Sequence, residues 1–435
     1  MPADHPLFIP PSHPLGEAAF DTDKFGRLPL AKALTGYLKR LSFGAVIAIE
    51  AEWGEGKSWF AHNWKALLSE QEHTAIYIDA FEADYIEDPF AIIAGEVQAV
   101  IRSEAERANF IQKAANVAAA IAPTALKIAV RGTGKAILNV SNLDGIIKEG
   151  FEKVLENTEE SLGKILEEKI KSYQEDKNSI ASFRKNLSEF AGSLNSPLVV
   201  MIDELDRCKP EFAVKLLERI KHFFNVPNVV FVLFMNKRQM HNAIKGVYGA
   251  ATDAHLYLEK FLSFTFVLEP PKRESIRPFV EFELKKYGIQ LDNQVDEYVN
   301  GLCVLSTAFK MTTRQLEKAI ALLALAYPFS NGGILISELA VLKICRPDLL
   351  DGLLKSDRPA ISEIVTILQP HQTSRNAEYL EDWIGFLIAV HEAQAEPDDG
   401  QLTKALYDTY RMKKSAITRD YKKFVDLLNM MPRTR

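Results

Sequence analysis

Five short apolar runs punctuate the first part of the chain: Ala45–Ile49, Ala75–Ile78, Leu198–Ile202, Val229–Met235 and Phe264–Leu268, the last interrupted by Thr265. β-branched and aromatic residues dominate most of them. Unbroken apolar runs suit strands buried on both faces. Helical patterns lie between the runs, and this alternation predicts an α/β core built on a parallel sheet.

The spacing is uneven. About 120 residues separate the second run from the third. Within that gap, residues 149–194 are highly charged, with apolar positions at helical intervals. They predict one or two long amphipathic helices inserted into the core. Beyond Pro270-Pro271 the strand signal fades. Residues 275–330 read as helices, with Thr312-Thr313 ahead of an apolar-periodic stretch. Residues 333–435 also read as helical, punctuated by Arg346-Pro347, Arg358-Pro359 and Gln369-Pro370, with a turn at Pro397-Asp398-Asp399-Gly400. The expected division is a first core part at 1–103, a helical insertion at 104–195 and a second core part at 196–271. A helical lid at 272–330 and a C-terminal helical region at 331–435 follow. No internal repeat or low-complexity tract is evident.

Composition narrows the function classes. A chain of 435 residues, 47% hydrophobic and 25% charged, affords a sizeable core and two or three domains. The net charge of -6 argues against nucleic-acid binding by the whole chain. One basic stretch interleaves Arg411, Lys413, Lys414, Arg419, Lys422 and Lys423 with Tyr410, Tyr421 and Phe424. Such mixing suits nucleic acid, but against an acidic background a solvated helix face is the favoured reading. Nucleic acid is thus allowed as a partner and not indicated. Cys208, Cys303 and Cys345 are far apart and form no C-x-x-C pair. Neither a disulfide framework nor a zinc site is expected, and reduced, buried cysteines in a cytoplasmic protein are the plain reading. The N-terminus has no basic region followed by a long apolar core, so no secretory signal is read there. Ala114 to Leu126 is uncharged but only thirteen residues long and contains Pro123. A membrane-spanning helix needs about 20 apolar residues, so a soluble or interfacial helix is expected and membrane attachment is not.

The chemistry begins after the first run. Ala51-Glu52-Trp53-Gly54-Glu55-Gly56-Lys57-Ser58 follows a predicted strand and precedes a helical pattern that continues from Trp59. It resembles the phosphate-binding pattern G-x-x-x-x-G-K-[ST], whose backbone amides cradle phosphate while the lysine reaches the outer phosphates and the hydroxyl binds Mg²⁺. The helix that follows points its positive end at the anion. Ala51 stands where the pattern has glycine. Trp53, Gly54, Glu55, Gly56, Lys57, Ser58 and Trp59 form the candidate nucleotide site, with Trp53 expected to pack under or beside the loop.

The third run ends in Asp203-Glu204-Leu205-Asp206-Arg207. Asp203 is placed to steady Mg²⁺ with Ser58, and Glu204 to act on a water aligned with the γ-phosphate, as general base or positioner. Asp206 either assists Asp203 or holds the turn. Arg207 is expected to pair with Asp206, a contact to a neighbouring subunit's nucleotide being the alternative. Asn236, ending the fourth run, is a candidate contact for the γ-phosphate or the attacking water.

These residues together resemble the KAP family of P-loop NTPases. The similarity lies in W-G-E-G-K-S at 53–58 and in I-D-E-L-D-R-C-K-P-E at 202–211, followed by a helix at Ala213–Phe224 and P-N-V-V-F-V-L at 227–233. It extends to Y-L-E-K-F at 257–261 leading into F-T-F-V-L-E-P-P at 264–271, to T-T-R-Q-L-E-K at 312–318, and to D-x-F-G-R-x-P-L-A-x-A-L at 23–34. It covers roughly 20–330 and leaves the C-terminal hundred or so residues out. Ala51 departs from the family pattern, as does Phe81 where tryptophan is usual. Glu204 stands where aspartate is frequent, which favours hydrolysis. The resemblance implies ATP with Mg²⁺, and an arginine, here Arg314, reaching the γ-phosphate from the helical lid. It also implies sites completed by self-association, protein partners, and a role in bacterial defence against phage or plasmids. Many members carry membrane helices where this chain has its insertion; here only the short alanine-rich stretch stands there. The expected activity is an ATP-driven conformational switch. The alternative is a nucleotide-binding scaffold with little or no hydrolysis, and a phosphotransferase ranks last because no acceptor pocket is recognisable.

Overall fold

The structure is a computed structural model. It describes residues 18–41, 43–86, 88–121, 159–223, 225–326, 333–355, 357–371, 387–388 and 391. The expected turn at 397–400, the basic tail, the start of the predicted insertion helix at 149 and residues 122–126 of the alanine-rich stretch lie outside them. The chain forms two compact units.

The first unit comprises Pro29–Ala51 and Lys57–Leu268 and holds the sheet. Its strands are β1 (Ala45–Glu50), β2 (Ala75–Asp79), β3 (Leu198–Asp203), β4 (Val229–Met235) and β5 (Phe264–Val267). All are parallel, in the order β2-β3-β4-β1-β5. The central strands β3 and β4 are buried at every position and β1 at all but its last, whereas the edge strand β5 is buried at none. That contrast follows from position: a central parallel strand has both faces covered.

Three strands run one residue past their last apolar position, to Glu50, Asp79 and Asp203. Register explains this. Glu50 pairs with Met235, and Asp79 with Asp203, so the ladder carries the acids inside the sheet's carboxyl edge. β5 stops one residue earlier than expected, at Val267.

Helices of this unit are α1 (Leu28–Leu38, entered from the other unit), α2 (Lys57–Glu70), α3 (Pro89–Val100), α4 (Glu104–Ile121), α5 (Glu159–Gly192), α6 (Pro210–Ile220), α7 (Lys237–Tyr248) and α8 (Ala254–Glu259). The described residues of the expected insertion, 104–121 and 159–195, form two helices, α4 and α5, and the end of the second. The 34-residue α5 packs on α4, with Phe183 and Phe110 ring centroids 5.0 Å apart. α6 begins at Pro210 and not at Ala213, because proline at a first helical position loses no needed hydrogen bond. Among the described residues no helix is long and apolar enough to cross a membrane.

The second unit comprises the segments up to Leu28, Glu52–Gly56 and from Glu269 on. Its described elements after Glu269 are helical: α9 (Arg273–Lys286), α10 (Asn293–Ala308), α11 (Thr313–Ala326), α12 (Gly333–Cys345), α13 (Pro347–Leu354) and α14 (Arg358–Leu368). They bury one apolar core, with Phe25 packed against it. α11 starts in a reciprocal capping box: Gln315 N–H donates to Thr312 Oγ1 (3.3 Å), and Thr312 N–H to Gln315 Oε1 (2.9 Å). Cys208 and Cys303 are buried and free, as read, whereas Cys345 is only half-buried.

Candidate functional site

The segment Ala51–Ser58 joins a buried strand to a helix. Ala51 continues the ladder, its N–H donating to Met235 O at 3.3 Å. Glycine is favoured where φ is positive, and Ala51 is not among the described residues with positive φ. Gly54 (φ 87°) and Gly56 (φ 78°) are. The two left-handed positions of the loop thus fall on glycines, and the departure at Ala51 costs the backbone nothing.

Within the helical unit, loop residues Glu52–Gly56 are fastened by their carbonyls. Arg314 N–H donates to Gly54 O at 2.9 Å. Arg27 donates from Nη2 to Glu55 O at 2.6 Å and from Nη1 to Gly56 O at 3.3 Å. A Cβ on Gly54 would meet Thr312 Oγ1 at 2.8 Å, so this glycine also permits a close approach. Arg27 is 5% exposed, and burial lowers its pKa to about 10, opposed by the charges of Glu55 and Asp23. It is therefore a cation at neutral pH.

Within the sheet unit, Lys57 and Ser58 open α2 as its first two residues and are both buried. The expectation that the helix starts after Ser58 is corrected. The hydroxyl and ammonium thus sit at a helix N-terminus, where dipole and orphan amides favour anions. Lys57 Nζ donates to Ala51 O at 2.9 Å. Ser58 Oγ donates to Glu204 Oε1 at 3.0 Å, which brings the two sequence motifs together.

Asp203 ends β3 with no exposure at all. Its carboxylate accepts from Tyr77 Oη at 3.0 Å and from Glu204 N–H at 2.8 Å. Burial raises its pKa, opposed by bonds from Ser58, Glu204 N–H and Tyr77 and by the Lys57 charge. Burial, then the Asp203 charge, raises Glu204, and burial lowers Lys57 against the pull of Asp206, Asp203 and Glu204. Each charge is disfavoured by desolvation, which is the environment in which functional groups have altered pKa values.

Glu204 has φ 58° and ψ 21°, the left-handed region, which costs a non-glycine residue roughly 1–2 kcal/mol. Beside its own N–H on Asp203, it is held there by Ser58 Oγ, by Arg207 N–H to Glu204 O at 3.1 Å, and by Arg207 Nε to Glu204 Oε2 at 2.5 Å. Arg207 thus pairs with Glu204, not with the expected Asp206. Asp206 instead accepts from Asn236 N–H at 3.1 Å, so it holds the exit of β4. Asn236 is buried, and its side-chain oxygen caps α7 by accepting from Gln239 N–H at 3.2 Å.

The remaining candidates are placed as follows. Glu55 is buried, and its N–H closes a turn onto Glu52 O at 3.3 Å. Trp53 lies inside that turn and is 45% exposed. Trp59 is half-buried, its carbonyl accepting from Asn63 Nδ2 at 2.9 Å. For Arg314, the backbone N–H and Cβ lie against Gly54. Two contributors were missed. Tyr77 reads in sequence as one more apolar strand residue, and nothing local marks its hydroxyl. Arg27 lies in the quoted D-x-F-G-R stretch, but no local signal shows that it reaches the loop some 29 positions onward.

A model of the KAP family P-loop domain matches residues 27–329. Among curated proteins, the phage T7 exclusion protein of Escherichia coli (strain K12) is 22% identical over 167 residues. That match covers 37% of this chain and 22% of the relative, so it spans about a fifth of the relative's length. Among solved structures, a Walker-type ATPase of Pyrococcus abyssi aligns at 13% identity with a TM-score of 0.37, over 96% of this chain and 99% of that one. The ORC2 protein of Aeropyrum pernix, in ADPNP–ADP complexes, aligns at 15% identity with a TM-score of 0.33, over 93% and 85%.

Proposed function

The chain belongs to the KAP family of P-loop NTPases, and on that premise we propose that it binds ATP with Mg²⁺ and hydrolyses it to drive a conformational switch. The observation that carries this reading is the Ser58–Glu204 bond: the hydroxyl of the phosphate loop meets the second acid of D-E-L-D-R at 3.0 Å, beside the buried Asp203. The donor set fits Mg²⁺, which takes hard oxygen ligands, here Ser58 Oγ and the Asp203 carboxylate. Bound Mg²⁺ would supply charge neutralisation of the phosphates.

Lys57 binds the outer phosphates, and the amides of Trp53 to Trp59 cradle them. Glu204 aligns the attacking water and takes its proton. Asn236 orients the same water or the γ-phosphate, and Arg314 stabilises the charge that develops there. Residues 272–330 act as the lid and 104–195 as an insertion for contacts. The site is completed by self-association, and protein partners read the switch. The phage-exclusion relative supports a role in antiviral defence, in the cytoplasm.

A second reading has its own observation. Glu204 is held by both Arg207 and Ser58, and a carboxylate so engaged does not accept a proton from water. A nucleotide-binding scaffold with little turnover until a partner releases Glu204 fits this. Steady-state phosphate release from ATP and GTP by wild type, Lys57→Ala and Glu204→Gln separates the two. Turnover by wild type alone supports the ATPase. ATP binding by wild type without turnover supports the scaffold, and absence of both would sink the proposal.

A further inference from the structure

Consecutive carbonyls of the loop are tied to one part of the molecule. Gly54 O goes to Arg314 N–H, and Glu55 O and Gly56 O go to the two terminal nitrogens of Arg27. A peptide group is planar and trans, so a carbonyl and the N–H that follows it point to opposite sides. Fixing Glu55 O and Gly56 O on Arg27 therefore directs the amides of Gly56 and Lys57 away from it. Successive amides aimed to one side make a concave anion site.

Arg27 is itself immobilised. Asp23 accepts from the backbone N–H groups of Phe25 (3.0 Å), Arg27 (2.6 Å) and Leu28 (2.9 Å), so the turn that carries Arg27 is closed on one carboxylate. The guanidinium lies 5.3 Å from the centre of the Phe25 ring, and Phe25 sits 4.6 Å from the ring of Phe279 on α9. Only a forked cation spans two successive carbonyls in this way; a lysine ammonium offers its donors from a single atom.

We infer that Arg27 is a positioning residue of the phosphate loop, holding the carbonyls of Glu55 and Gly56 so that the following amides present themselves to a polyphosphate. The inference rests on the proposed nucleotide site. It gives the buried arginine a task beyond packing: it pre-orients the loop, so the loop's ordering is not charged against phosphate binding.

The test is calorimetric titration of ATP-Mg²⁺ and of pyrophosphate-Mg²⁺ into wild type, Arg27→Lys and Arg27→Ala, with thermal melts of each ligand-free protein. Arg27→Lys keeps the charge and loses the fork. It is expected to melt close to wild type and to bind both ligands about tenfold more weakly, the scale of one lost charged hydrogen bond. Pyrophosphate should lose as much as ATP, because the effect lies at the phosphates. If Arg27→Ala does not fold, Arg27→Lys alone decides. Wild-type affinity in a folded Arg27→Lys overturns the inference, as does an affinity loss that appears only with loss of the fold. If wild type itself binds neither ligand, the proposed function fails and the inference falls with it. That failure is read on wild type, so it is distinct from the other two.

Discussion

Arg27 and Gly56 meet so closely that a Cβ on the glycine would lie 2.7 Å from Arg27 Nη1. Gly56 also has φ 78°, where an L side chain is disfavoured by itself. Backbone conformation therefore favours glycine here, and an added methyl group would displace the Arg27 guanidinium from the loop. Gly56→Ala is expected to abolish measurable ATP binding and to lower stability by about 1–3 kcal/mol, the range for a strained position. Equilibrium denaturation and calorimetric titration check both parts, and an alanine variant that binds normally would show that the loop can yield.

Ala51 sets the opposite expectation. Restoring the glycine of the general pattern should not improve the site, because the backbone at this position has no positive φ. Ala51→Gly should instead cost about 0.5–1 kcal/mol through chain entropy, with ATP affinity unchanged. A gain in affinity on titration would mean that the methyl group hinders phosphate approach.

The Arg207–Glu204 ion pair makes a prediction about rate. With Arg207 Nε 2.5 Å from Glu204 Oε2, the carboxylate is held by a residue three positions on. Arg207→Ala should raise basal phosphate release at saturating ATP several-fold, with KM little changed, because Glu204 becomes free to meet water. A fall in kcat instead would make Arg207 the residue that orients Glu204 for catalysis.

Much of this was legible in the chain. The five strands, their parallel arrangement and the helix over 159–192 follow from apolar runs and helical periodicity, which are local properties. The two motifs were legible for the same reason: a glycine-rich loop after a strand, and acids at a strand end, are short patterns with mechanical meaning. Even the family was visible at the level of 53–58 and 202–211, and the match to 27–329 agrees with it.

What only the tertiary structure decided are the partners of particular polar groups. Sequence placed Arg207 beside Asp206, and the turn geometry after β3 gave it to Glu204. Tyr77 looked apolar until register set β2 beside β3 and brought its hydroxyl to Asp203. Arg27 stood in the quoted D-x-F-G-R stretch with no role of its own until folding brought it to the loop. Hydrophobic periodicity is written along one chain segment, so sequence determines elements and their order. Hydrogen bonds and ion pairs between segments depend on register, burial and dihedral angles that no single segment encodes, so the identity of each polar partner is settled only when the segments pack.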